Sequence, residues 1–278
     1  MRRSFFLIAQ IGLVLMTTHT NAFAEPLIVA HRGASQDAPE NTLPAFELAW
    51  KQGADAIEGD FHLTKDGEII CLHDADTKRV AGTKLIAKDT LLADLRKLDV
   101  GSWKGPQFAG IHPPTFKEVV ATIPAGKKFY VEIKCGPEIV PKLTAELKVS
   151  GLTDQQIVII SFNADVIAAM KKTNPQYNAY WLVSFKENGE NGLRPATDDV
   201  LDTLKTTHAN GLSSGYKLVT ADLIDAIHKA NYEYHVWTVD DPAIAKQFRK
   251  WGAGSITTNA PALIRKELGH DVTVGNVP

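Results

Sequence analysis

Residues 27–74 read LIVAHRGASQDAPENTLPAFELAWKQGADAIEGDFHLTKDGEIICLHD. Three apolar runs in this stretch each stop on ionisable residues. Leu27–Ala30 ends in His31-Arg32-Gly33, Ala54–Ile57 ends in Glu58-Gly59-Asp60, and Ile69–Leu72 ends in His73-Asp74. Short apolar runs bounded by turn residues have the pattern of buried strands. When several strands of one sheet finish in such groups, the groups gather at one rim, where α/β sheets and barrels keep their chemistry.

Working outward, the alternation of apolar runs and helical periodicity continues to the end of the chain. After HRG, the loop Ala34–Glu40 leads to a helix that Asn41 or Thr42 can cap, with Pro44 in its first turn and Gly53 at its end. Lys65-Asp66-Gly67 is a tight-turn signal, so the second strand passes almost directly to the third with no helix between them. A long excursion, Ala75 to Lys127, follows His73-Asp74. It carries a helical piece near Leu91–Leu98 and a capping box at Thr115 and Glu118. Such an excursion is expected to shape a pocket. Strands are then predicted at Lys128–Lys134, Ile157–Phe162, Tyr177–Val183, Leu212–Ser214, Tyr234–Val239 and Ser255–Thr258, with helices between them. This alternation predicts an α/β fold, a (β/α)8 TIM barrel with an irregular connection between its second and third strands and a small insertion after the third. Nine strand candidates are one too many for eight places, and the piece at 212–214 or the last one is expected to be irregular. No internal repeat or low-complexity linker appears, so one domain is the simpler reading. The tail from Gly269 is expected to fray.

The chain has 278 residues, 44% hydrophobic and 22% charged, which is ample for one large core. Thirty Lys and Arg stand against 32 Asp and Glu, and no basic block or aromatic-basic stripe points to nucleic acid. Residues 1–24 read as a signal peptide: Arg2-Arg3, an apolar core from Phe5 to Met16, and the small-x-small site Ala22-Phe23-Ala24. The apolar core falls short of the about 20 residues a membrane span takes, so no stable membrane anchor is expected. The mature domain, 25–278, is then expected in the periplasm or the exterior, and its length suits a barrel of about 250 residues. An oxidising compartment permits a bridge between Cys71 and Cys135; two separate buried thiols are the simpler reading.

Several residues point to chemistry. Glu58 and Asp60 stand at i and i+2 of one strand and share a face, and Glu132, near the end of its own strand, can join them. Three converging carboxylates repel one another unless a cation intervenes, and an all-oxygen set suits Mg2+ or Ca2+. His31 and His73, each ending a predicted strand, can supply an acid and a base near neutral pH. Lys134 shares a face with Glu132. Arg32 has the wrong parity to point with His31 unless Gly33 turns the chain. Trp237 and Ser161 close late strands, where packing is their simplest role.

The pieces HRG, APENT, EGD, LTKDG and LHD, followed by GSW at 101–103, EIK at 132–134, SF at 161–162 and WTVD at 237–240, together resemble the glycerophosphodiester phosphodiesterase family. The resemblance runs from about Ile28 to Pro261. It implies a barrel lacking one helix and a divalent metal on Glu58, Asp60 and Glu132. It also implies His31 and His73 as the acid–base pair, in an order left open, and Trp237 as an aromatic lining the pocket; Arg32 and Lys134, by their charge, are the candidate donors to a phosphodiester. The expected reaction is hydrolysis of a small glycerophosphodiester such as glycerophosphocholine or glycerophosphoethanolamine to an alcohol and glycerol 3-phosphate, by way of a cyclic phosphate. Two alternatives stand beside it: a lysophospholipase D-type enzyme with an apolar mouth built from Trp103, Phe108 and Ile111, and a non-catalytic secreted binding protein. Departures from the family pattern are Gly59, where a bulky apolar residue is common, Asp240, where Asn is frequent, and Asn259, where Asp is common. Neither Asp240 nor Asn259 is expected to touch the predicted ligands.

Overall fold

The computed structural model describes residues 23–189 and 192–269. All but two residues of the expected leader, and the tail beyond Gly269, lie outside them.

The strands are β1 (Leu27–Ala30), β2 (Ala56–Leu63), β3 (Ile69–Cys71), β4 (Lys128–Ile133), β5 (Ile157–Ser161), β6 (Asn178–Val183), β7 (Lys186–Glu187), β8 (Leu193–Arg194), β9 (Gly211–Gly215), β10 (Glu233–Trp237) and β11 (Ser255–Thr258). Eight of them run parallel in the order β1-β2-β4-β5-β6-β9-β10-β11. The pairing of β11 with β1 closes the ring, with Leu27 opposite Ser255 and Ala30 opposite Thr258. This is a (β/α)8 barrel. The helices are α1 (Leu43–Lys51), α2 (Lys78–Ala81), α3 (Leu92–Leu95), α4 (Phe116–Val120), α5 (Val140–Lys148), α6 (Ala164–Thr173), α7 (Thr197–Thr207), α8 (Ala221–Lys229), α9 (Pro242–Lys250) and α10 (Pro261–Glu267).

The surplus strand is not where the sequence placed it. β9 and β11 are both regular barrel strands. The one outside the ring is β3, which pairs antiparallel with the end of β2, Phe61 opposite Cys71 and Leu63 opposite Ile69. A turn as short as Thr64–Gly67 can only reverse the chain; a parallel neighbour needs a crossover of about a dozen residues or more. The excursion therefore belongs to the β2–β4 crossover. Its helical pieces are short: α3 spans four residues where Leu91–Leu98 was expected.

Local chemistry explains the regular elements. Thr42 caps α1 by accepting from the Ala45 N–H, and Pro44 sits in the first turn. Thr115 and Glu118 form the expected capping box of α4. Alternate strand residues divide between two cores. Ile28, Ala30, Ile57, Phe61, Val131 and Ile133 face the helices, while Val29, Ala56, Tyr130, Val158, Ile160, Tyr180 and Leu182 fill the barrel. Gly59 faces outward as expected: a Cβ there would meet the Phe46 ring of α1 at 3.2 Å and the Phe61 ring at 3.3 Å. A groove of about 1200 Å³ lies between α4 and α5, where the five-residue α4 stands in for a full crossover helix. It is remote from the ionisable residues singled out above.

Candidate active site

Strand parity and register build the site. Asp60 on β2 is the partner of Glu132 on β4, and Glu58, one rung below on the same face, is the partner of Tyr130. All three carboxylates are buried, and each offers an oxygen within 4.8 Å of the others. Lys134 Nζ lies 2.7 Å from Glu132 Oε1 and 3.5 Å from Asp60 Oδ1. Arg32 adopts a left-handed φ of 55°. Its backbone N–H donates to Glu58 Oε2 at 2.8 Å, and its Nε lies 3.2 Å from Asp60 Oδ2. The parity conflict at Arg32 is thus removed by a turn that Gly33 completes at φ 80°; a Cβ on Gly33 would stand 2.5 Å from the Ala45 carbonyl carbon.

Two imidazoles flank the acids. His31 Nδ1 is 2.7 Å from Asn259 Oδ1. His73 Nδ1 donates to Asp74 Oδ1 at 2.7 Å, and its backbone carbonyl accepts from His62 Nε2 at 3.2 Å. His73 reaches the rim by an unexpected route. It follows β3, which descends antiparallel from the far end of β2, so that Leu72 donates to the Asp60 carbonyl. His31, Arg32, Glu58, His73, Glu132, Lys134 and Trp237 all line one cavity of about 120 Å³. Asp60 is fully buried just behind this lining.

The electrostatics are tense. Burial, then the charges of Asp60 and Glu132, push the Glu58 carboxyl well above its usual range. Burial and Asp60 raise Glu132 to about 7. For Asp60 burial pushes upward too, but Arg32, Lys134, His73 and the Asn41 hydrogen bond hold it below the usual range. Burial and the neighbouring Arg32 lower His31 to about 4. Glu58 Oε1 and Asp60 Oδ1 are buried without a hydrogen-bond partner among the described residues. Two orphaned carboxylate oxygens in an all-oxygen cluster of three acids fit a hard divalent cation.

Sequence reasoning missed several partners. Asn41 is not the helix cap. Its left-handed φ of 57° turns the side chain inward, where Nδ2 donates to Asp60 Oδ2 at 2.7 Å and Oδ1 accepts from the Asp60 N–H at 3.2 Å. Asn259 hydrogen-bonds His31, a partner that nothing in the local sequence disclosed. Asp74 lay inside a quoted motif without a role. His62, two residues beyond Asp60, had the parity to be found. Ser161 is structural: its Oγ donates to the Ile133 carbonyl at 2.8 Å. Trp103, Phe108 and Ile111 do not line the cavity; its apolar wall is Ile160, Phe162, Leu182 and Trp237. The two cysteines are free, Cys71 buried and Cys135 only half-buried, which corrects the expectation of two buried thiols.

The fold and the groups at its mouth define the class, a (β/α)8-barrel hydrolase of phosphoric diesters. The chain belongs to the glycerophosphoryl diester phosphodiesterase family, whose sequence profile matches residues 31–263. It is 32% identical over 257 residues to a glycerophosphodiester phosphodiesterase of Bacillus subtilis, covering 86% of this chain and 85% of that protein. A glycerophosphodiester phosphodiesterase of Caldanaerobacter subterraneus is 32% identical over 252 residues, covering 86% and 98%. Among solved structures, an Oleispira antarctica phosphodiesterase in complex with the product sn-glycerol-3-phosphate superposes with a TM-score of 0.79 at 26% identity, over 88% of this chain and 97% of that one.

Proposed function

We propose that this chain hydrolyses small glycerophosphodiesters, such as glycerophosphocholine or glycerophosphoethanolamine, to an alcohol and glycerol 3-phosphate, using a divalent metal and two histidines. The observation that carries the proposal is the convergence of His31, His73, Arg32, Lys134 and the acid cluster on one cavity of about 120 Å³. A cavity of that size suits a glycerol phosphate better than a lipid tail.

Glu58, Asp60 and Glu132 would hold the metal, Mg2+ or Ca2+. When bound, such an ion supplies Lewis acidity that favours an ionised attacking oxygen and offsets phosphoryl charge. Arg32 and Lys134 add cationic donors for the non-bridging phosphoryl oxygens. His31, which burial and Arg32 keep neutral, removes the proton of the glycerol 2-hydroxyl. The O2–P bond forms as the bond from phosphorus to the alcohol oxygen breaks. His73, whose ring is oriented by the Nδ1 hydrogen bond to the Asp74 carboxylate, gives a proton to the departing alkoxide. Water then opens the cyclic phosphate with the two proton transfers reversed. Trp237 and Phe162, edge to face at 5.5 Å between ring centroids, form an apolar wall for the glycerol carbons.

The same reading sends the mature chain, from Glu25, to the periplasm or the exterior. The support is the Arg2-Arg3 start, the apolar run and the Ala22-Phe23-Ala24 site. No helix among the described residues is long and apolar enough to cross a membrane.

The decisive assay is release of glycerol 3-phosphate from glycerophosphocholine. Product is expected, lost with chelator and regained with Mg2+ or Ca2+. Turnover that chelator leaves untouched would remove the metal from the proposal, and turnover confined to lysolipids would remove the substrate class.

A further inference from the structure

Behind His31 stand two residues with no part in the steps above. Asp240 follows β10 and Asn259 follows β11, the strand next to β1. The Asp240 carboxylate accepts three hydrogen bonds: Oδ1 from Thr258 Oγ1 at 2.9 Å and from the Asn259 N–H at 2.7 Å, and Oδ2 from Asn259 Nδ2 at 2.7 Å. A carboxylate only accepts, so the atom of the Asn259 amide that faces Asp240 is the nitrogen. The amide oxygen must then face the other way. There it meets Ser35 Oγ, which donates to it at 2.8 Å, and His31 Nδ1 at 2.7 Å. An amide oxygen also only accepts, so Nδ1 of His31 carries the hydrogen.

We propose that Asp240 and Asn259 form a positioning pair that holds His31 in the tautomer protonated on Nδ1 and leaves Nε2 as its proton acceptor. The inference rests on the reading of His31 as the base. A carboxylate directly on Nδ1 would stabilise the imidazolium. An amide on Nδ1 orients the ring without that charge. The two histidines thus receive different partners for different duties. The other charged or titratable groups near His31 are Arg32 on its own loop, Glu40 on the following loop, Asp60 and Glu58 on β2, Glu132 and Lys134 at the end of β4, His73 after β3, Asp240 after β10, and Lys104, whose Nζ donates to the Ser35 carbonyl at 2.8 Å.

The pair makes an unusual exchange possible. In the double variant D240N/N259D every hydrogen bond can be kept with one polarity reversed. The new amide oxygen accepts from the Thr258 hydroxyl and the residue-259 N–H, and its nitrogen donates to the new carboxylate, which now faces Nδ1.

The test uses the intact mature chain, with and without Mg2+. 15N NMR of His31, read without substrate, is expected to show Nδ1 protonated and Nε2 bare. Asn259→Ala and Asp240→Asn are expected to lower kcat about ten- to a hundred-fold with KM little changed, part of the about 10²–10⁴ that a general base is worth. Asn259→Asp alone sets two carboxylates against each other and is expected to be worse than the double exchange. The exchange itself is expected to recover activity to within about ten-fold of the parent, with the acidic limb of kcat/KM moved up by about one pH unit. A protonated Nε2 in the parent chain, single variants with parental kcat and pH profile, or an exchange no better than its worse single member would each overturn the pair. If Asn259→Ala proves unfolded by thermal melting, the parent's tautomer and the exchange decide. A parent that is folded and hydrolyses no diester defeats the functional reading instead, while its His31 spectrum still decides the tautomer.

Discussion

The site turns on single atoms whose partners were chosen by backbone conformation. Asn41 is the clearest case: both ends of its amide are spent on Asp60. Groups that orient a metal ligand from behind are commonly worth about 10–100-fold in metal affinity. Asn41→Ala is therefore expected to raise the Mg2+ concentration needed for half-maximal activity by that factor, with kcat at saturating metal nearly kept; a metal titration of turnover reads this directly. His73→Ala should behave differently. It removes the proposed proton donor, so kcat is expected to fall by about 10²–10⁴ at any metal concentration. Near-parental turnover in that variant would remove His73 from the reaction.

Among elements, the informative one is the excursion between β3 and β4. It contributes little apolar surface to the cavity. It acts through Arg79 of α2, whose Nη1 and Nη2 donate to the two oxygens of Glu40 at 2.9 and 2.7 Å and whose Nε donates to Asp74 Oδ2 at 2.7 Å. Glu40 in turn accepts from Arg32 Nη1 at 3.0 Å, and Asp74 accepts from His73. A charged chain thus runs from His73 around the rim to Arg32. The Arg79 side chain is 45% exposed, so its ion pairs are expected to contribute at most about 1 kcal/mol to stability. Arg79→Ala is expected to leave the melting temperature within a few degrees and to lower kcat/KM about ten-fold, because His73 and Arg32 lose a shared brace. A large fall in melting temperature with unchanged kcat/KM would show that α2 supports the fold and not the rim.

At the scale of the whole molecule, the acid cluster is expected to link stability to pH and to metal. Glu58 and Glu132 have folded-state pKa values above their unfolded ones. Their contribution to stability is present at low pH, below about 4.5, and is lost as pH rises through the folded values, about 7 for Glu132. His31 works in the opposite sense. Its folded value, about 4, lies below its unfolded 6.5, so its contribution is present above 6.5 and is lost as pH falls toward 4. A cation bound to the ionised carboxylates removes the first loss. The rise in melting temperature caused by Mg2+ or Ca2+ is therefore expected to be larger at pH 8 than at pH 5.5. Scanning fluorimetry with chelator and with each metal checks it, and equal shifts at the two pH values would contradict this account of the cluster.

Much of this protein was legible in its sequence because strands and helices write their periods into it. Alternation placed Glu58, Asp60, Glu132 and Lys134 on inward-facing positions, and the run of apolar segments between helices set the barrel. What the sequence could not show was anything that depended on which segments become neighbours. Only the closed ring, with β11 beside β1, brings Asn259 to His31 from 228 positions away. Only the reversal at Thr64–Gly67 lays β3 back along β2 and delivers His73 to the rim. A left-handed turn at Asn41 sends to Asp60 a side chain that the sequence offered as a helix cap. Periodicity is a local property of the chain, whereas ring closure, strand direction and the partners of a buried polar atom follow from how distant pieces pack, and packing settled them.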